Sequence, residues 1–240
     1  MGFLFTSCQE DDPKPQDDGS ILIRSNVSGD VKLFDQYGEK SAQNDMRVTM
    51  DNHGKFFYGD TEKDGGYLVL NADYFPNYTI LFEKQGYGTY KILNYSHEYN
   101  NGGEGHINEV PNLSEKSGTY STSISANVSN DTVFFDLTAQ LASGSGTRII
   151  RFLFHTTPQI SNEIFAYYTG QINIYSPTQT YYFTKIQLEG IGLKPNTKYY
   201  VQAYGDSYYS NSYMDTDGLH LPNLGIPTTG DTPTDSFIMP

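Results

Sequence analysis

A chain of 240 residues is long enough for one large domain or two of ordinary size. Its 28 acidic residues against 15 basic ones leave a net charge of -13. That balance disfavours nucleic acid, whose phosphates need a basic face, and electrostatic docking on anionic lipid.

A single Cys forbids an intrachain disulfide, so stability must come from packed cores. Aromatics are 15 % of the residues (21 Tyr and 14 Phe), and 23 Gly with 11 Pro punctuate the chain. Tyr, Phe, Thr, Val and Ile suit a pleated, half-buried surface, and long runs of helix formers are missing, so the composition reads as all-β. Past residue 8 no apolar run approaches the ~18 residues that a spanning helix needs.

The only cysteine sits between an apolar run and a burst of acid, in MGFLFTSCQEDDPKPQDDGS. Phe5-Thr6-Ser7-Cys8 resembles the lipobox of bacterial lipoproteins, with small residues directly before the Cys that receives lipid. A secretory signal needs a charged start and roughly 7–15 apolar residues. MGFLF supplies neither, so a longer signal upstream is expected. The acidic, Pro-rich segment after Cys8 cannot bury a core and reads as a solvated tether, residues 1–19 forming signal remnant and leash. An acidic run just after the Cys is similar to the signal that sends Bacteroidetes lipoproteins to the outer face of the outer membrane. The resemblance implies a membrane partner through a lipid at Cys8.

From 20 to 113, short alternating runs follow one another. Val31 and Leu33 share a face, as do Val48 and Met50, and Tyr78, Ile80 and Phe82. Asp64-Gly65 supplies the positive φ of a tight hairpin between FFYGDT and YLVL. An antiparallel sandwich is the economical reading. Asp35, Gly38, Thr61, Asp64, Gly65, Tyr67, Tyr78, Gly86 and Tyr87 fall in a pattern that resembles a carboxypeptidase regulatory-like domain, which implies a prealbumin-like β-sandwich acting as an accessory module.

LSEKSGTYS, residues 113–121, is a short polar joint, so the two modules are expected to touch. Strand patterns then resume through 114–228. Val133, Phe135, Leu137, Ala139 and Leu141 line one face. Ile150, Phe152 and Phe154 oppose Ile149 and Leu153, and Tyr182, Thr184, Ile186 and Leu188 form a further stripe. Leu193-x-Pro195-x-Thr197-x-Tyr199 resembles the strand E to strand F corner of fibronectin type III domains, which implies an immunoglobulin-like sandwich with Tyr199 as its buried tyrosine corner. The module is long for that family, which points to an enlarged loop within 156–180, and residues 229–240 read as a tail. The fold class is therefore all-β, two β-sandwich domains in tandem.

Chemistry is sparse. The five His (53, 97, 106, 155 and 220) lie in no nucleophile motif, and neither a Gly-x-Ser-x-Gly elbow nor a Gly-rich phosphate loop is present. His106-x-x-Glu109 matches the zinc pair of metallocarboxypeptidases, but a third ligand is missing and positions three apart on a strand point to opposite faces. Asp215-x-Asp217-Gly218 resembles the start of a calcium loop without its remaining ligands, and reads as a turn before the last strand. No catalytic residue, metal or cofactor is expected.

Tyrosines are the better lead. The paired strand tyrosines read as cross-strand packing. The loop YGDSYYSNSYMD reads as a binding loop, with Tyr208, Tyr209 and Tyr213 supplying contact area and Asn211 a polar partner. The expected function is a non-enzymatic surface lipoprotein binding carbohydrate, peptide or protein, with a surface hydrolase or its accessory subunit as the alternative. With a complete upstream signal restored, the wild-type chain should fractionate with membranes and incorporate labelled fatty acid while Cys8→Ala does neither. Equal labelling of both would remove the anchor.

Overall fold

In the computed structural model, which describes residues 24–99 and 103–240, apolar alternation closes two separate cores. Cys8 and the acidic tether lie outside the described residues. In the first module, β1 (Arg24–Asp30) is followed by β2 (Lys32–Phe34), β3 (Arg47–Asn52), β4 (Lys55–Asp60) and β5 (Gly66–Asp73). β6 (Phe75–Glu83), β7 (Tyr90–His97), β8 (Gly105–Ile107) and β9 (Asn112–Ser114) complete it. One sheet runs β5-β1-β8 and the other β4-β3-β6-β7, while β2 pairs with β9 in parallel. Val48 and Met50 of β3 and Tyr78, Ile80 and Phe82 of β6 are buried together, because every second side chain of a strand shares a face. Val27, Val69 and Ile107 come to them from the opposite sheet.

Positive-φ residues mark the turns between strands. His53-Gly54 links β3 to β4 with φ of 47° and 96°, the left-handed pair that a two-residue hairpin requires. Gly65 also has positive φ, 96°, and a Cβ there would stand 2.3 Å from the Val31 carbonyl oxygen, so only Gly fits. The expected hairpin at Asp64-Gly65 is corrected nonetheless. β4 and β5 lie in different sheets, and the turn is a corner that carries the chain from one layer to the other. The positions of the first-module resemblance are structural. The Asp35 carboxylate accepts the N–H groups of Tyr37 and Glu39, the Thr61 hydroxyl donates to the Gln43 carbonyl, and Tyr67, Tyr78 and Tyr87 are buried.

The second module comprises β10 (Tyr120–Ser129), β11 (Thr132–Gln140), β12 (Arg148–His155), β13 (Tyr167–Tyr168), β14 (Ile172–Ile174) and β15 (Thr178–Thr184). A short helix α1 (Lys185–Gly190) precedes β16 (Lys198–Asp206), β17 (Tyr213–Asp215), β18 (Gly218–His220) and β19 (Asp235–Ile238). β15-β11-β10 forms one layer. β12, flanked by β13 and β14, pairs β16, which pairs β19, in the other. The layers join only at Tyr120↔Tyr204 and otherwise pack face to face. Phe135 sits at the centre, its ring 5.1 Å from Phe152 and 5.5 Å from Phe237 between centroids. The chain is thus all-β, two sandwiches in tandem.

Four expectations change here. Residues 229–240 are no mere tail: β19 fills the free edge of β16, and Phe237 and Met239 enter the core. The stripe through Ile186 and Leu188 ends at Thr184, where a capping box with Gln187 starts α1 and leaves Ile186 exposed. The register of β15 is shifted by one: Tyr181 pairs with Phe135 and faces inward, while Tyr182 pairs with Phe134 and faces solvent. The largest excursion is residues 207–234, between β16 and β19, and not 156–180.

Tyr199 is 1 % exposed, and its hydroxyl accepts the Lys194 N–H at 2.9 Å, five residues upstream. Tyr199→Phe should cost on the order of 1–3 kcal/mol by leaving that N–H unpaired. Tyr200, half-buried with Lys198 over its ring, should tolerate Phe within about 0.5 kcal/mol. Denaturant melts of both variants check the pair, and the reverse order of sensitivity would contradict it.

Candidate functional site

The binding-loop residues expected from the sequence lie in the 207–234 excursion, which turns back from the end of β16 onto the first module. Asp206 launches it. Its buried carboxylate pairs with the Arg151 guanidinium at 2.8 Å, accepts Gln171 at 3.1 Å and takes the Ser207 N–H at 2.8 Å. Beyond this point Ser207, Asn211 and Asn223 turn their polar groups to the joint.

Asn211 and Asn223 form the heart of that joint. The Asn223 amide is 0 % exposed and makes four hydrogen bonds. It donates to the carbonyls of Ser114 and Tyr209, both at 2.9 Å, and accepts from the Gly88 N–H and from Asn211. That is the full capacity of an amide side chain. Asn211 accepts the Ser114 N–H at 2.8 Å and donates to the Ser114 carbonyl at 3.0 Å. The expectation that Asn211 offers a polar contact to a ligand is therefore corrected. A buried amide must be hydrogen-bonded, and the backbone of the joint already takes this one.

The neighbouring rings divide. Tyr209 packs on Phe34 of the first module, centroids 4.6 Å apart, and Tyr208 packs edge-on against Tyr209 while remaining half exposed. A shallow groove of about 320 Å³ passes Tyr208, Tyr209 and Ser212. Tyr213 stacks on His220 with centroids 4.9 Å apart and presents an edge to Tyr90. Burial pushes its phenol upward in pKa. Beside it a larger cavity, about 520 Å³, opens between the modules and is bordered by Lys116, Glu163, His220 and Leu224.

Asp215, Asp217 and His220 gather their ligand atoms within 4.8 Å of one another. Each is already engaged. The Lys91 ammonium from the first module donates to Asp215 at 2.9 Å, holding that carboxyl below its ordinary pKa and raising its own. His220 bonds Asp217 at 2.7 Å and likewise lowers it. Asp215 to Gly218 is the turn of the β17–β18 hairpin, with β19 still to follow. His106 and Glu109 have separate partners, Ser28 and Tyr90.

A second concavity was not anticipated. Where the chain passes from β14 in one layer to β15 in the other, the open side of the second sandwich holds a cleft of about 510 Å³. Tyr175 and Tyr182, 77 % and 67 % exposed, line it and are the two most exposed tyrosines among the described residues. The Tyr175 hydroxyl accepts from the Asn173 amide at 3.0 Å, and its backbone N–H donates to Gln179 at 3.1 Å. Tyr181 lies buried beneath, its hydroxyl on the Asn173 carbonyl at 3.3 Å. Counting Tyr hinted at such a surface, but only the β11–β15 register separates the outward Tyr182 from the inward Tyr181.

No protein-family model matches the sequence, and no curated protein matches it. Among solved structures, a Bacteroides uniformis protein whose name proposes carbohydrate binding aligns with 89 % of this chain and 98 % of its own, at 13 % identity and a TM-score of 0.32. A DUF3823 family protein from Parabacteroides merdae aligns over 76 % of this chain and 90 % of its own, at 10 % identity and a TM-score of 0.28. The FN1–FN3 domains of chicken CNTN1 align over 90 % of this chain and 66 % of their own, at 9 % identity and a TM-score of 0.30.

Truncating Asn223 to Ala leaves the Tyr209 carbonyl and the Gly88 N–H without partners. The change should destabilise the joint by about 2–4 kcal/mol. Calorimetry should then resolve two melting transitions where the wild type shows one, and proteases should gain access to residues 115–119. A single unchanged transition would mean that the modules are not coupled through this residue.

Proposed function

We propose that this chain is a non-catalytic binding protein, carried on the outer face of the outer membrane by a lipid at Cys8, whose recognition surface is the cleft between β14 and β15. The carrying observation is that the two most exposed tyrosines line one cleft. Burying a ring is favourable, so two rings left in water at one site mark a surface suited to covering by a partner. The backbone and hydroxyl contacts of Tyr175 hold that side of the cleft in advance, which lowers the entropy lost on binding.

The anchor is supported by Thr6-Ser7-Cys8 and the acid that follows. The buried joint supports a presenting role, because it couples the two sandwiches through Ser114, Asn211 and Asn223. Tyr208 keeps the excursion's groove as a lesser recognition surface.

Screening the chain against immobilised glycans and peptides supplies the probe. The double change Tyr175→Ala, Tyr182→Ala should weaken the retained ligand by more than about tenfold, since aromatic anchors carry ~2 kcal/mol or more. Its stability should stay within about 0.5 kcal/mol of wild type, as for other exposed positions. Tyr208→Ala should leave that affinity unchanged. Loss of binding in Tyr208→Ala alone would transfer the site to the excursion.

A further inference from the structure

The nine residues lining the β14–β15 cleft include no Asp, Glu, Lys, Arg or His. On a chain of net charge -13 this is informative, because the cavity between the modules, of similar volume, has Lys116, Glu163 and His220 on its border. From this neutral lining we infer that the cleft binds an uncharged oligosaccharide. The inference rests on the reading that the cleft is the binding surface.

The chemistry of the lining excludes the other classes in turn. An acidic ligand would approach a protein of its own sign and find no cation in the lining. A basic ligand would find no carboxylate in the lining; Asp136, outside it, is held by the Thr180 hydroxyl at 2.6 Å. A purely apolar ligand would strip water from the amides of Asn173 and Gln179 without replacing its hydrogen bonds, which is costly. A sugar ring satisfies both surfaces. Its C–H faces lie against aromatic rings, and its hydroxyls donate and accept at amides.

Hydrogen-bonding capacity remains for that purpose. Asn173 uses one amide hydrogen on the Tyr175 hydroxyl, leaving a second hydrogen and its side-chain Oδ1. Gln179 uses its oxygen on the Tyr175 N–H and keeps its NH₂. Gln171 places its NH₂ on Asp206 and the Ser207 carbonyl, which leaves its oxygen. These internal bonds fix each amide before a ligand arrives. The volume, about 510 Å³, falls within the ~300–1,000 Å³ range of small-ligand sites.

The test is affinity electrophoresis of the full chain carrying Cys8→Ala. The gels contain neutral polysaccharides (glucan, xylan, mannan, galactan), acidic ones (polygalacturonate, hyaluronan) or gelatin. At least one neutral polysaccharide should retard the protein equally at low and high salt, because screening does not act on an uncharged ligand. Tyr175→Ala with Tyr182→Ala should abolish that retardation. Gln179→Glu, which keeps the acceptor and loses the donor, should weaken it roughly tenfold, the scale of one lost polar contact.

Retardation by none of the neutral polysaccharides overturns the inference. Retardation by polygalacturonate, hyaluronan or gelatin alone, lost in the tyrosine variant, overturns the ligand class and keeps the cleft. Neutral-polysaccharide binding that survives the tyrosine and Gln179 changes overturns the cleft itself.

Discussion

Two buried asparagines hold this molecule together. Asn223 bonds the first module at Gly88, the joint at Ser114 and its own excursion at Tyr209, while Asn211 closes the ring by bonding both Ser114 and Asn223. A short joint brings the two sandwiches into contact, and the amides lock that contact. Here the backbone of Ser114 has no water to bond, so any displacement of the excursion strands buried donors and acceptors. Lys91–Asp215 and Phe34–Tyr209 add contacts around this centre, but the amide pair sets the geometry because Asn223 has all four of its amide bonds made.

The same excursion changes what the second sandwich needs from its sequence. Leu221 and Leu224 fold over the outer face of the β12–β16 layer and form a small second core with Leu153, Ile160 and Tyr204. β12 is therefore buried on both faces, which explains why Ile149 and Leu153 are apolar opposite Ile150, Phe152 and Phe154. Arg151, on that covered face, is buried with Nε and Nη2 on Asp206 and Nη1 on the Thr169 carbonyl, so each guanidinium nitrogen donates once. Breaking such a pair is costly because it leaves one charge alone in the interior. The excursion thus has a fixed base at Asp206 and a fixed far end at Asn223. The excursion leaves Tyr175 and Tyr182 uncovered, and they stand exposed where β14 leads into β15.

Much of this was legible beforehand because strand alternation reports burial directly. Val48, Met50, Tyr78, Ile80, Phe82, Val133, Phe135 and Leu137 lie where a period of two places them. Turn residues were legible in identity but not in topology. Gly65 needs its positive φ whether the strands it joins stay in one layer or part, and only packing decided that they part. The β15 stripe misled because Tyr, Tyr and Phe are adjacent: all three are large and ring-bearing, so neither face stands out until β11 sets the register.

Composition and strand alternation by themselves determined the all-β class and most of the core strands. They did so because burial and turn formation act locally along the chain. The tertiary structure alone decided that 235–238 closes the second sandwich, that Asn211 belongs to the joint, and that Tyr175 and Tyr182 share a cleft. Those facts depend on which segments, far apart in sequence, come to lie side by side. A four-residue strand shows too little alternation to be recognised, an Asn looks the same whether it meets water or a buried carbonyl, and a tyrosine's ring carries no mark of the face it takes.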